Sequence, residues 1–288
     1  MQRRFVACAL VPAIVALSSP VAHAFRIAVP TQLPAPEQVA KSDAVVLGSV
    51  SSIADKTVKA KAVMPGQNGN VEYHVATVKV QEGFLGAKGL TDVQVAWVPP
   101  AIAPGGGRGF PPLIPPVSLT KDQEGCFFLV KHPTEAFFVL VAVPDVVNKS
   151  SADFEKYSKL VKKCAKSLDD PENGLKSKEA SERLLAASLL VTHYRQPKFL
   201  GGKQEEIDAD ESKLILQAMA EADWTKTDTE TGVNPVNMFV QLGATAKDGW
   251  KVPQNINQAG LIDAMKKWAK DNAGTYRIKK FVPEKAEK

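Results

Sequence analysis

Beyond the first 24 residues, the side chains that metal or nucleophilic chemistry would draw on are three histidines, two cysteines and scattered carboxylates. His74, His132 and His193 are far apart in the chain and fall in different predicted elements. None stands in His-x-His or His-Glu-x-x-His spacing, the arrangements that bring two imidazoles to one ion. The stretch 169–180 mimics a calcium loop with Gly174 at its sixth place, but Pro171 and Ala180 occupy the third and twelfth places, where oxygen ligands belong. No metal or other cofactor is expected. A Gly-x-Ser-x-Gly elbow is absent, and Gly105-Gly106-Gly107-Arg108-Gly109 lacks the Lys-Ser/Thr of a phosphate-cradling loop. Cys164 with His193 would make a nucleophile and base only if two helices pack side by side. An exported hydrolase therefore requires residues that meet only in the fold, such as His193 with Asp208 or Glu211 at the junction of the two halves. No catalytic residue is assigned, and the balance leans away from an enzyme.

Binding chemistry has more candidates. Tyr73 and Trp97 sit on predicted strands, where each either stacks on a sugar ring, making a carbohydrate-binding face, or fills the core. Lys156, Lys159, Lys163 and Lys166 share a helix face that suits anionic lipid or nucleic acid, or is simply solvated. Glu155 interrupts them and no aromatic residue stands among them, so nucleic acid is not expected as a partner. The segment 99–116 holds seven Pro and four Gly, and its apolar residues Ile102, Phe110, Leu113 and Ile114 either dock on a partner or lie over their own domain. Asn148-Lys149-Ser150 is a glycosylation acceptor pattern, a tripeptide common by chance.

The chain of 288 residues carries 36 Lys+Arg against 31 Asp+Glu and is 44% hydrophobic, the composition of a globular protein. Arg3 and Arg4, an apolar stretch from Phe5 to Leu17, and Ala22-His23-Ala24 read as a signal peptide cleaved after Ala24. The apolar stretch is too short to span a bilayer, so no transmembrane segment is expected in the mature chain. Removing residues 1–24 takes away two Arg and no acid, which leaves a net charge of +3. The expected location is periplasmic or extracellular. There, the two remaining cysteines, Cys126 and Cys164, are expected to pair, for a stabilisation of roughly 4 kcal/mol in the chain-entropy model. Two buried free thiols are the alternative.

Strand-like segments occupy 44–53, 58–63, 71–81, 93–98, 126–131 and 137–143, rich in Val, Phe and Tyr with turn residues between most of them. Past Ser150 the apolar period lengthens to three or four residues, beginning with Phe154, Tyr157, Leu160, Val161, Cys164 and Leu168. Further helices are predicted over 177–194, from Asp208, over 235–246 and over 258–272. The expected class is α+β: a small β-barrel domain over 25–148, interrupted by the proline-rich loop, then an α-helical domain of about five helices over 149–288.

Three stretches support a resemblance. They are Glu37 to Val50, Val75 to Gly86 with its Leu85-Gly86 turn, and Gln123 to Val130 with Gly125. They resemble netrin-like modules, the OB-type barrels of tissue inhibitors of metalloproteinases, over roughly 120 residues. The whole chain is also similar to exported bacterial proteins of no assigned function. The resemblance implies an OB-like barrel whose first strand lies within 37–50. It does not carry the inhibitor activity, because those inhibitors begin on a zinc-chelating cysteine and the first mature residue here is Phe25. The resulting expectation is an exported, non-catalytic binding or structural protein that acts through protein or cell-envelope contacts.

Overall fold

The computed structural model describes residues 33–63, 69–99, 118–140, 146–197, 202–254 and 257–282. The described chain opens with α1 (Ala35–Lys41), followed by β1 (Ala44–Ile53), β2 (Val58–Lys61), β3 (Asn70–Leu85), β4 (Asp92–Trp97), β5 (Glu124–Lys131), β6 (Phe138–Val139) and β7 (Val146–Asn148). Then come α2 (Phe154–Asp169), α3 (Pro171–Leu175), α4 (Ala180–Arg195), β8 (Lys203–Glu206), α5 (Ala209–Glu221), α6 (Pro235–Leu242), α7 (Gln258–Asp271) and β9 (Lys279–Val282). The protein is α+β, with a seven-stranded sheet and seven α-helices among the described residues. No helix among them is long and apolar enough to cross a membrane. The cleavage residues Ala22 and Ala24 and the loop residues Ile102, Phe110, Leu113 and Ile114 lie outside the described residues.

β1 pairs antiparallel with both β3 and β5. β3 pairs antiparallel with β4, β4 runs parallel to β6, and β6 pairs antiparallel with β5, so the pairings return to β1. Val46, Val50, Val78, Val95, Phe127 and Leu129 of these strands pack into one core. The alternate residues of β1 and β5, Val45, Cys126 and Phe128, point into a second core shared with the helices. Burial on both faces is why these two strands read as unbroken apolar runs. Gly48 faces Gly125 across the β1–β5 ladder. A Cβ at Gly48 would sit 2.4 Å from the Lys79 carbonyl oxygen, so the bare backbone is what lets β3 approach there.

The structure refines the expected elements in several places. Residues 37–41, part of the stretch that the resemblance likened to a first strand, belong to α1. Pro36 presets the first turn, Glu37 and Lys41 pair four residues apart, and Ala35, Val39 and Ala40 bury one face. About five helices were expected in the helical half, and six α-helices (α2–α7) lie there among the described residues. Pro171 and the Asp170 side chain, which accepts from the Asn173 N–H, start the short α3 within the rejected calcium loop. The helix expected over 235–246 stops at Leu242, where Gly243 takes φ +66°, and a 3₁₀ turn (Ala246–Asp248) follows. The same half also contains strands, since β8 and β9 form a separate two-stranded sheet.

Residues 31–288 form one compact unit. The larger core joins Val45, Phe84, Cys126, Phe128 and Val147 of the sheet to Val161, Cys164, Leu189 and Leu190 of the helices. The change of periodicity near residue 149 therefore marks a change of secondary structure within one core. α1 sits among the sheet, α2 and α4: Tyr157 donates to the Gln38 carboxamide oxygen, and His193 Nδ1 donates to the Ala40 carbonyl at 2.9 Å.

Candidate functional site

The residues singled out for chemistry are engaged in holding the fold. His132 is 1% exposed. Its Nδ1 accepts from the backbone N–H groups of Thr134 and Glu135, at 3.2 and 3.1 Å, which leaves the proton on Nε2 for the Lys61 carbonyl at 3.0 Å. Tyr73 stands edge-on to that imidazole, donates to the same Lys61 carbonyl and accepts from the Val63 N–H. These bonds and the ring of Phe137 tie β2 to the β5–β6 turn over a small third core. His74 lies against the indole of Trp97.

Tyr73 and Trp97 thus fill cores, at 0% and 5% exposure, and neither presents a face to a sugar. This corrects the carbohydrate reading as far as it rested on them. The reason is register: Trp97 follows Val93 and Val95 on the inward side of β4, where the period of two places it.

The residues suggested for a hydrolase have three separate tasks. His193 binds the end of α1, Asp208 caps α5 by accepting from the N–H groups of Asp210 and Glu211, and Glu211 accepts from the Tyr194 hydroxyl at 2.9 Å. Burial, with the neighbouring Glu211 carboxylate, raises the Tyr194 phenol well above its ordinary value.

The disulfide expected between Cys126 and Cys164 is not formed. Both are free, buried thiols in the shared core. Compartment and an even count raised the expectation of pairing, while packing against the helices uses each sulfur as a small apolar group. Burial pushes each thiol up to about 12, so neither is a thiolate at neutral pH and the Cys164–His193 nucleophile reading loses its reactive species. Both cysteines should therefore resist maleimide in the folded protein and take up two labels once unfolded. Intact-mass measurement without reductant checks this, and a mass two protons lower before unfolding would mean that a disulfide exists.

The carboxylates with displaced pKa values lie in the helical half: Glu172 pairs with Lys176, and the others serve caps and turns. Asp208 is lowered by the two N–H groups it caps, Asp228 by the Thr231 hydroxyl and N–H, and Asp248 by the Thr245 hydroxyl. Asp223 is held down to about 2, first by the Thr225 hydroxyl. Depressed carboxylates contribute stability above their unfolded pKa, and that contribution disappears as pH falls through the folded values. Melting temperature should thus fall between about pH 4 and pH 2. An Asp228→Asn chain should show a shallower fall, measured by circular dichroism. An unchanged slope would remove Asp228 from the cause.

A concavity of about 520 Å³ opens at the start of β5 and the end of β7. Its walls are polar throughout, with hydroxyls from Ser118, Thr120 and Ser150 and charges from Lys121 and Asp122. Asp122 is the one non-glycine residue with positive φ (+65°) among the described residues; Asp is among the residues that tolerate this conformation. It is pinned where its N–H donates to Val50 while the Val50 N–H donates to Gln123. The Gln123 side chain accepts from the Thr120 N–H and donates to Asn148 Oδ1 at 2.8 Å, and Lys149 pairs with Glu124. The result is a shallow polar surface, fixed by ladder ends and side-chain amides and suited to hydrogen bonding with a polar partner. The signal that would have found it is the polar run Thr120 to Glu124 just before an apolar strand. No group of three or more His, Cys, Asp or Glu among the described residues is placed to hold a metal ion.

No protein-family model matches the chain, and no curated protein matches it.

Proposed function

We propose that the protein is exported after cleavage behind Ala24 and acts without catalysis, as a binding or structural protein of the cell envelope, through the polar surface around Lys121 and Asn148. The observation that carries this reading is the employment of its candidate reactive groups. His132 and His193 hold backbone carbonyls, Asp208 and Glu211 hold a cap and a phenol, and both thiols are buried with raised pKa values. The β half is proposed to be an OB-like barrel of the netrin-like kind. In support, the ring of pairings runs β1-β3-β4-β6-β5 and back to β1, with β4 parallel to β6. That order resembles the five-stranded OB barrel, an architecture that carries binding functions on its faces and loops.

The test uses the protected native thiols. A Lys121→Cys chain beginning at Phe25 is labelled with a maleimide photo-crosslinker, mixed with an envelope fraction and irradiated, beside a Lys270→Cys control on α7. A discrete adduct from position 121 and none from position 270 supports the reading. No adduct, or the same adducts from both, overturns the surface assignment. Turnover of ester, peptide or glycoside substrates would overturn the non-catalytic part.

A further inference from the structure

We infer that α2 is an electrostatic contact surface for a bilayer rich in anionic phospholipid. Phe154, Ser158, Val161, Cys164 and Ala165 bury one side of this helix against the core. At 3.6 residues per turn, Lys156, Lys159, Lys163 and Lys166 fall within an arc of about 80° diametrically opposite that side, in a row about 15 Å long. All four are exposed. Within α2 no acid lies in the arc; Glu155 borders it, and the C-cap Asp170, which accepts from the Asn173 N–H, closes its C-terminal end.

Two of the acids nearby are paired with lysines outside the arc. Glu82 pairs with Lys162 at 2.8 Å and Asp169 with Lys88 at 2.5 Å, both on the flank. Asp228, close enough to Lys163 to feel its charge, accepts from the Thr231 hydroxyl and N–H. Between Glu155 and Asp170, the outward face of α2 therefore carries four lysines and no acid. No aromatic or large apolar side chain projects from it, so contact would be superficial, reversible and salt-sensitive rather than inserted. A flat row of this kind matches a plane of phosphate headgroups. The inference names one envelope component within the proposed function but rests on α2 alone, distinct from the polar surface at Lys121.

The chain beginning at Phe25, which contains the whole compact unit, is sedimented with phosphatidylcholine vesicles that contain either no phosphatidylglycerol or 30 mol % of it. Binding should appear only with phosphatidylglycerol at 50 mM salt and fall at least tenfold at 500 mM. Each lysine near such a surface is worth about a factor of five. Lys159→Glu/Lys163→Glu should therefore cut partitioning more than tenfold, while Lys251→Glu/Lys270→Glu, the same charge change elsewhere, should cut it far less. Circular dichroism confirms that both variants fold. Equal losses in the two variants would reduce the effect to net charge and overturn the inference. So would the absence of binding at low salt, or retention on dextran sulfate without vesicle binding. Loss of vesicle binding while the Lys121 adduct persists would leave the proposed function standing.

Discussion

A Gly86→Ala chain should lose about 3 kcal/mol of stability or more and melt roughly 10 °C lower. Gly86 closes the Leu85-Gly86 turn with φ +60°, and a Cβ there would lie 2.0 Å from the Asp43 carbonyl oxygen. Asp43 has little freedom to retreat. Its N–H donates to the Leu129 carbonyl at 2.8 Å, and its carboxylate accepts from the Lys131 N–H at 2.9 Å. The obstruction is backbone, so no rotamer change relieves it. Gly89 supplies the control: its φ of +79° is equally unfavourable for alanine, but nothing lies within 4 Å of an added Cβ. Gly89→Ala should therefore cost only the conformational part, about 1 kcal/mol. Thermal unfolding of the two variants in parallel separates conformation from close approach, and equal shifts would show that the Asp43 contact does not matter.

The second large effect concerns the boundary near residue 149. A fragment of residues 25–148 should not fold, although it contains the whole seven-stranded sheet. Removing the helices would uncover Val45, Phe84, Cys126, Phe128 and Val147 together, all under 8% exposed in the intact chain. That is an apolar face that an isolated domain could not leave in water without losing much of its stability. The fragment should show no cooperative thermal transition and should bind a hydrophobic dye. Phe128→Ala in the full chain gives the graded version, since the ring packs edge-on against Tyr157 of α2 at 6.3 Å. The expected loss is about 3–5 kcal/mol, read from denaturant unfolding. A fragment with a sharp transition and native-like exchange protection would establish an independent sheet domain instead.

Much of the secondary structure was legible in the residues because it depends on local pattern. The strand over 44–53 was located to the residue, and the helix from Asp208 was announced by its capping carboxylate. α1 was missed because seven residues hold too few turns to show a period, and because its last residues run straight into β1. β8 was missed because Lys203-Gln204-Glu205-Glu206 has no apolar member and is exposed throughout. It is a strand only because β9, more than seventy residues later, lies beside it. Arg195 holds that pair in place, donating to the Lys279 carbonyl and the Gln204 side chain with its guanidinium over the Phe281 ring, none of which the sequence around position 195 announces. The candidate site follows the same division. The types at positions 120 to 124 are visible in the sequence, whereas their meeting with Asn148 and Ser150 comes from β5 pairing with β7.

The sequence by itself determined the class of the fold, most of its elements and the lysine face of α2, because each depends on side-chain period and turn chemistry within a few residues. Only the tertiary structure decided that the strand pairings close on themselves, that the two halves share one core, and that Tyr73, Trp97 and the thiols are interior. Those outcomes depend on which distant surfaces meet. A buried face of β5 carries the same residue types whether a helix, a second strand or a ligand covers it.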